Sequence, residues 1–224
     1  QHRVPAVFFL STGFLDHPRL SWWDEIAWMV RTSKQTRIPL EAWGSSSVTI
    51  DVKQPESAIR RILRVYKQLP AERTESLLEH LAEATGAGRA TKALADGMWM
   101  TWDMVREMHL GGMTIGGHTI RHPILAQLPP PQQQEEISGS CRRIAAEIDA
   151  PVETFSFPVG GPTAYNEATL QSLEDAGIRW AFTYGFGGYV RDSHLPYQIP
   201  RLPIESDLSL MRFRALTTLP GLFS

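Results

Sequence analysis

Residues 101–125, TWDMVREMHLGGMTIGGHTIRHPIL, read as a capped helix, a stop, a strand and a histidine-bearing turn, in that order. Thr101 offers an N-cap hydroxyl, and Gly111 and Gly112 follow Leu110, where a helix breaks its repeat. The short run "MTIG" is strand-like, and Gly116 and Gly117 let the backbone come close just before His118. His122 stands four residues further on, followed by Pro123. A helix feeding a short strand, with chemistry-bearing residues just beyond the strand, is the repeating unit of a parallel α/β sheet. Function in such sheets collects at the carboxyl ends of the strands.

The alternation continues outward from this unit. Downstream, a helix opening with Pro131 in its first turn runs to about Asp149. "VETFSFP" follows as a strand with Phe155 and Phe157 on one face, then a helix over 166–176 closed by Gly177, then the strand "IRWAFTYG". "FPVGG" (157–161) and "YGFGG" (184–188) therefore also fall at strand ends. Trp180 in the last strand is a core residue or, with Phe186 and Tyr189, part of an aromatic surface near the strand end. Upstream, "AVFFLST" (6–12) is a continuous apolar run, as expected of a strand buried on both faces. Between the two ends lies a helical block. Ser21 and Asp24 cap a helix carrying Ile26, Met29 and Val30; residues 56–68 and 71–85 give two more helices, and "SVTIDV" suggests a short strand. This block reads as a packed helical insertion or as a lid on the substrate side.

With 224 residues, 42% of them hydrophobic and 21% charged, the chain can bury one good-sized core. A net charge of -2 provides no basic stripe for nucleic acid or anionic lipid, and no apolar run is long enough to span a bilayer. Cys141 is the only cysteine, which rules out an intrachain disulfide; among Ile137, Ile144 and Ile148 it reads as a helix-core residue. The chain starts at Gln1 and enters an apolar strand without the features of a signal peptide, so the expectation is a cut inside a longer protein.

Two histidines four residues apart on a helical turn would present both imidazoles on one face. A metal such as zinc needs neutral nitrogens converging at about 2 Å with a position left open for water. The alternative is a surface or internally satisfied pair, which would not call for a strand end, two glycines and a proline in the same place.

Taken together, "VPAVFFLSTGFLD", "MTWDMVREMHLGGMTIGGHTIRHPILAQL", "EEISGSCRRIAAEI" and "ETFSFPVGG" resemble, in order and spacing, the polysaccharide deacetylases, the NodB-homology or carbohydrate esterase family 4 domain. The helical insertion resembles that of exopolysaccharide-locus members. The resemblance implies a distorted, incomplete (β/α) barrel: one domain over 1–224 lacking its N-terminal strand, with the helical insertion at about 17–100. It implies His118 and His122 as ligands of a divalent metal, zinc first, with cobalt or nickel as substitutes. Thr119 becomes the hydroxyl that ties down the loop between them. Pro158 would line the substrate site, and the Val159 backbone N–H would stabilise the oxyanion. Tyrosine is common in the family where Val159 stands, and arginine is common where Ser156 stands. Arg201 in "IPRLP" is the candidate replacement for that arginine. His194 in "RDSHLPY" is either the acid that protonates the leaving amine or an exposed loop histidine, and Tyr189 is the candidate sugar-stacking ring.

The largest departure is the absence of the family's paired-aspartate segment, of the form T-F-D-D-G, which supplies the third metal ligand and the general base. Asp16, Asp24, Asp103 and Asp192 stand in no such pair. The resemblance therefore implies hydrolytic deacetylation of an N-acetylated bacterial polysaccharide, with this chain alone inactive or nearly so. The alternatives are a non-catalytic carbohydrate-binding module on the same fold and a zinc hydrolase acting on another amide. An unpaired sheet edge beside "AVFFLST" predicts self-association. The compartment stays open between bacterial cytoplasm and cell envelope or periplasm.

Overall fold

In chain order the elements are β1 (Val7–Leu10), α1 (Thr12–Asp16), α2 (Trp22–Arg31), β2 (Arg37–Ile38), β3 (Val48–Thr49), α3 (Glu56–Gln68), α4 (Ala71–Thr85), α5 (Trp102–Leu110), β4 (Thr114–Gly117), α6 (Pro130–Ile148), β5 (Thr154–Ser156), α7 (Glu167–Asp175), β6 (Trp180–Phe182) and α8 (Leu210–Thr218). The computed structural model describes residues 4–184, 195–202, 204 and 208–219. The chain divides into two compact units, residues 1–13 with 101–224, and residues 14–100.

The first unit is built on a parallel sheet of order β1-β4-β5-β6. Its register sets Leu10 beside Gly117, Gly117 beside Phe155 and Phe155 beside Ala181. That row faces the helices and is buried. α6 packs onto it so closely that a Cβ on Gly117 would stand 2.8 Å from Cys141 Sγ and 3.0 Å from the Phe155 ring. The buried stripe of α6 runs through Gln133, Glu136, Ile137, Ser140, Cys141, Ile144 and Ile148, the spacing of one helical face. Ile137 and Ile144 are fully enclosed, each contributing about 1.5–3 kcal/mol of burial.

The ends of the helices follow their local chemistry. Thr101 Oγ1 accepts from the Met104 N–H at the start of α5, Pro130 and Pro131 open α6, and Asp149 closes it in the left-handed region (φ 50°). Asn166 and Thr169 form a reciprocal capping box on α7. The outer edge of β6 is covered: Ala181 N–H donates to Pro196 O (2.8 Å), Ile199 N–H to Ala181 O (3.0 Å) and Thr183 N–H to Ile199 O (2.9 Å).

β1 departs from expectation. It is an edge strand, so Val7 and Phe8 are 40% and 37% exposed instead of buried on both faces. Trp180 is exposed too, which removes the core reading. The sequence reading also missed α8, where Ser209 Oγ accepts from the Arg212 N–H and Leu216 alone is buried.

The second unit packs α2, α3 and α4 around Ile26, Met29, Ile62, Leu77 and Leu81. Ser21 Oγ accepts from the Asp24 N–H to start α2. "SVTIDV" shrinks to the two-residue β3, paired antiparallel with β2. Glu25 is buried, and its carboxylate accepts from Arg89 Nε (2.9 Å), Arg89 Nη2 (3.1 Å) and the Ala90 N–H (2.9 Å). Trp22 stacks on Tyr66 at 4.2 Å. Among the described residues no helix is long and apolar enough to cross a membrane.

Candidate functional site

β4 ends at Gly117, and the chain turns into a short irregular loop carrying His118 and His122. The two rings meet edge to face, their centroids 4.7 Å apart and their planes at 78°. They are brought together by loop geometry, not by the helical turn expected from the spacing. Thr119 (φ 69°) and His122 (φ 59°) both adopt the left-handed backbone region, which folds four residues back on themselves without a helix.

That conformation is held from several sides. Thr119, fully buried, donates its hydroxyl to the His118 carbonyl and accepts the His122 N–H at 2.9 Å. Ser11 Oγ donates to His118 O (2.8 Å), Thr12 N–H to Thr119 O (3.2 Å) and Gly13 N–H to Ile120 O (2.9 Å), so the turn after β1 clamps the loop's carbonyls. From the other side, Glu136 on α6 accepts the N–H groups of Ile120 (2.8 Å) and Arg121 (2.9 Å) on one oxygen and Arg121 Nε (2.7 Å) on the other.

The ring chemistry of His118 follows from one contact. Its Nδ1 lies 2.6 Å from the Ser156 carbonyl, which can only accept, so Nδ1 carries the proton and Nε2 is left with the lone pair. Burial pushes the imidazole down to about 4 against the support of that hydrogen bond, and the Arg201 charge pushes the same way. His118 is therefore neutral throughout the physiological range, the form in which an imidazole ligates a metal.

The separation of the two rings is of the size that a shared ion would require. Two imidazoles bound through nitrogens 2.0–2.1 Å from a common centre place their ring centroids roughly 5 Å apart, close to the 4.7 Å found. Two nitrogen donors suit zinc, cobalt and nickel. Among the described residues no group of three or more His, Cys, Asp and Glu converges.

β5 presents the second loop. Pro158 is buried, and its carbonyl accepts the Gly160 N–H at 2.6 Å, closing a three-residue turn around Val159. Val159 stands at φ 63°, an outlier for a β-branched residue, and among the described residues its N–H donates no hydrogen bond. Gly160 (φ 65°) has no room for a side chain: a Cβ there would lie 2.5 Å from Tyr184 N. Arg201 lies half-buried, donating Nε to Thr183 O (2.9 Å), with its guanidinium 5.6 Å from the Phe9 ring centroid. Tyr189, His194 and Asp192 lie outside the described residues. Asp24 is engaged at its helix cap and Asp103 with Arg106.

Sequence reasoning missed Glu136, Ser11 and the Ser156 carbonyl. The signal for Glu136 was a carboxylate on the apolar stripe of α6, in phase with Ile137, Cys141 and Ile144. The other two act through contacts 107 and 38 residues apart in sequence, which no local pattern reveals.

The polysaccharide deacetylase family model matches residues 44–181. The Bacillus subtilis (strain 168) protein YxkH, whose name assigns it to the polysaccharide deacetylases, is 32% identical over 116 residues, covering 52% of this chain and 40% of YxkH. Among solved structures, Streptococcus pyogenes deacetylase PplD in complex with acetate is similar over 51% of this chain and 49% of its own, with 23% identity and a TM-score of 0.46. The polysaccharide deacetylase BC0361 from Bacillus cereus is similar over 52% of this chain and 36% of its own, with 17% identity and a TM-score of 0.45. The chain thus spans less than half the length of each of these relatives.

Proposed function

The chain belongs to the polysaccharide deacetylase family, with that family's α/β fold, and on that premise we propose that it forms the metal-binding part of an enzyme that hydrolyses N-acetyl groups, or less often O-acetyl groups, on a bacterial polysaccharide. Polysaccharide deacetylases are in general metal-dependent. The observation that carries the proposal is the His118–His122 pair: two imidazole rings at a spacing suited to one ion, on a loop tied down on both sides.

His118 and His122 would hold the ion, zinc by preference; the Ser156 carbonyl fixes His118 as the Nδ1–H tautomer and so leaves the Nε2 lone pair available to a ligand. When bound, such an ion supplies Lewis acidity, polarising the acetyl carbonyl and lowering the pKa of water. Thr119 keeps the loop in register. The Val159 N–H receives the negative charge that develops on the acetyl oxygen, and Pro158 walls the acyl group. Arg201 supplies positive charge near His118; His194 protonates the leaving amine and Tyr189 stacks on a sugar ring.

No described carboxylate joins the pair, and the paired-aspartate segment is absent from these 224 residues. The chain by itself is therefore inactive or nearly so. In this reading 1–224 is one deacetylase domain with a helical insertion, and the free edge of β1 mediates self-association.

The test is acetate release from an N-acetylglucosamine polymer, by this chain alone and by the chain joined at its N-terminus to an aspartate-bearing segment of a family member. The extended chain should release acetate, lose the activity to a chelator and lose most of it on His122→Ala; the unextended chain should not release it. Chelator-insensitive release would sink the metal reading in favour of another amide hydrolase. Saccharide binding by an extended chain that releases no acetate would favour the carbohydrate-binding module.

A further inference from the structure

Glu136 is the least accessible carboxylate among the described residues, at 1% exposure, and it lies on the face of α6 that meets the sheet. A carboxylate so deep must be satisfied by hydrogen bonds, and all three that it accepts come from two consecutive residues of the histidine loop. Those residues, Ile120 and Arg121, lie between two left-handed positions, Thr119 and His122. α6 approaches the same loop at Gly139, where a Cβ would lie 2.8 Å from Ile120 Cδ1. The strained turn that swings His122 toward His118 is thus pinned at its midpoint by a side chain from a rigid helix.

We propose that Glu136 is a positioning residue for the metal site: by binding the Ile120 and Arg121 amides it sets the loop conformation in which His122 shares a ligand with His118. The inference rests on the reading of His118 and His122 as ligands. Glu136 touches neither histidine ring. Its effect is on how much of the loop population is already in the ligating shape, so its loss lowers apparent affinity without removing a donor atom.

The experiment is titration of Co²⁺ into the protein and its His118→Ala, Glu136→Leu and Arg121→Ala variants, with amide hydrogen exchange read residue by residue. Leu fills the buried space of Glu136 without offering an acceptor, so both amide bonds are lost; Gln would keep them, because its one carbonyl oxygen can take the two N–H groups that share a single Glu136 oxygen. Glu136→Leu should weaken Co²⁺ binding about 10–100-fold and speed exchange at Ile120 and Arg121 while α6 amides stay protected. Arg121→Ala leaves both amide bonds in place and should change affinity less than about threefold, since it removes only an exposed side-chain contact. Equal binding by wild type and His118→Ala would remove the ligand assignment itself. A His118→Ala variant that loses binding beside a Glu136→Leu variant that retains it would overturn the role of Glu136 alone. Should Glu136→Leu fail to fold, exchange in the wild type decides. Protection at Ile120 and Arg121 comparable to α6 supports the clamp; rates like those of an open loop refute it.

Discussion

Adding one methyl group at Gly160 tests the geometry of the FPVGG turn directly. Gly160 sits at φ 65°, and a Cβ there would lie 2.5 Å from Tyr184 N and 2.6 Å from Tyr184 Cβ. Its carbonyl also accepts the Tyr184 N–H at 2.9 Å, so the two backbones are locked together and the clash cannot be relieved by turning a side chain. Alanine in the left-handed region costs roughly 1–2 kcal/mol. Restricting the unfolded chain returns about 0.4–1 kcal/mol, and displacing packed backbone adds about 1–3 kcal/mol. The net loss for Gly160→Ala is about 1–5 kcal/mol, or roughly 6–12 °C in Tm near the middle of that range. Gly161 supplies the control: nothing lies within 4 Å of a Cβ there and its φ is not left-handed, so Gly161→Ala should leave Tm unchanged or raise it slightly. Thermal unfolding by circular dichroism, in chelator to exclude metal effects, reads both. Equal melting of Gly160→Ala and wild type, or equal losses for the two alanines, would refute the left-handed turn and the close approach to Tyr184.

Cys141 gives a pH prediction. Burial pushes its thiol up to about 11 from 9, so the folded state holds the neutral form; the stability this contributes is present below pH 9 and is lost as pH rises toward 11, roughly 2–3 kcal/mol in all. Cys141→Ala should flatten that slope between pH 9 and 10, below the range where Tyr66, pushed up to about 12 mainly by burial, begins to add its own loss; identical slopes would contradict the assignment. Glu25→Ala should lower stability by about 2 kcal/mol in urea unfolding, less than the 3–5 kcal/mol of a fully buried pair because the Arg89 side chain is 32% exposed. Exposed Glu72→Ala should change it little, and an equally small Glu25 effect would show that the network carries no stability. At the β1 edge, where Val7 and Phe8 are exposed, Val7→Lys should reduce concentration-dependent association in sedimentation. A wild type that stays monomeric at high concentration would rule out that edge as a contact.

What could be read from the sequence depended on how local the physics was. The boundaries of α3, α4, α5 and α7 follow from apolar periodicity and from Thr101, Asn166, Gly86 and Gly177, all within a few residues of the ends they set. The exposure of β1 was not legible, because an apolar run such as AVFFL looks the same in a central strand and an edge strand; only the order β1-β4-β5-β6 decides it. β2 has two residues and no periodicity to detect. At the site, the HTIRH spacing names the two rings, but their approach depends on left-handed backbone at a histidine and at a β-branched threonine, a conformation uncommon outside glycine and rarest for β-branched residues. A propensity argument therefore draws the wrong turn there, and the carboxylate that holds the actual one comes from 16 residues downstream.

The distribution of strain supports the proposed role of this turn. Among the described residues four non-glycine positions are left-handed: Thr119, His122, Asp149 and Val159. Asp149 is the C-cap of α6, an ordinary use of that conformation. The other three lie in the loops after β4 and β5, at one end of adjacent parallel strands, and each carries roughly 1–3 kcal/mol of strain. Strain of that size persists only where surrounding contacts outweigh it. Here the contacts are unusually complete: the carbonyls of residues 118, 119 and 120 and the N–H groups of residues 120, 121 and 122 are all engaged. Hydrogen bonds to a charged acceptor contribute about 1.5–3 kcal/mol each, so the two amide bonds to Glu136 are large enough to offset the strain at Thr119 and His122. A loop selected only for stability would need neither the strain nor the compensation, because a less contorted connection of equal length would serve. The contortion does one thing such a connection would not: it returns His122 to within 4.7 Å of His118.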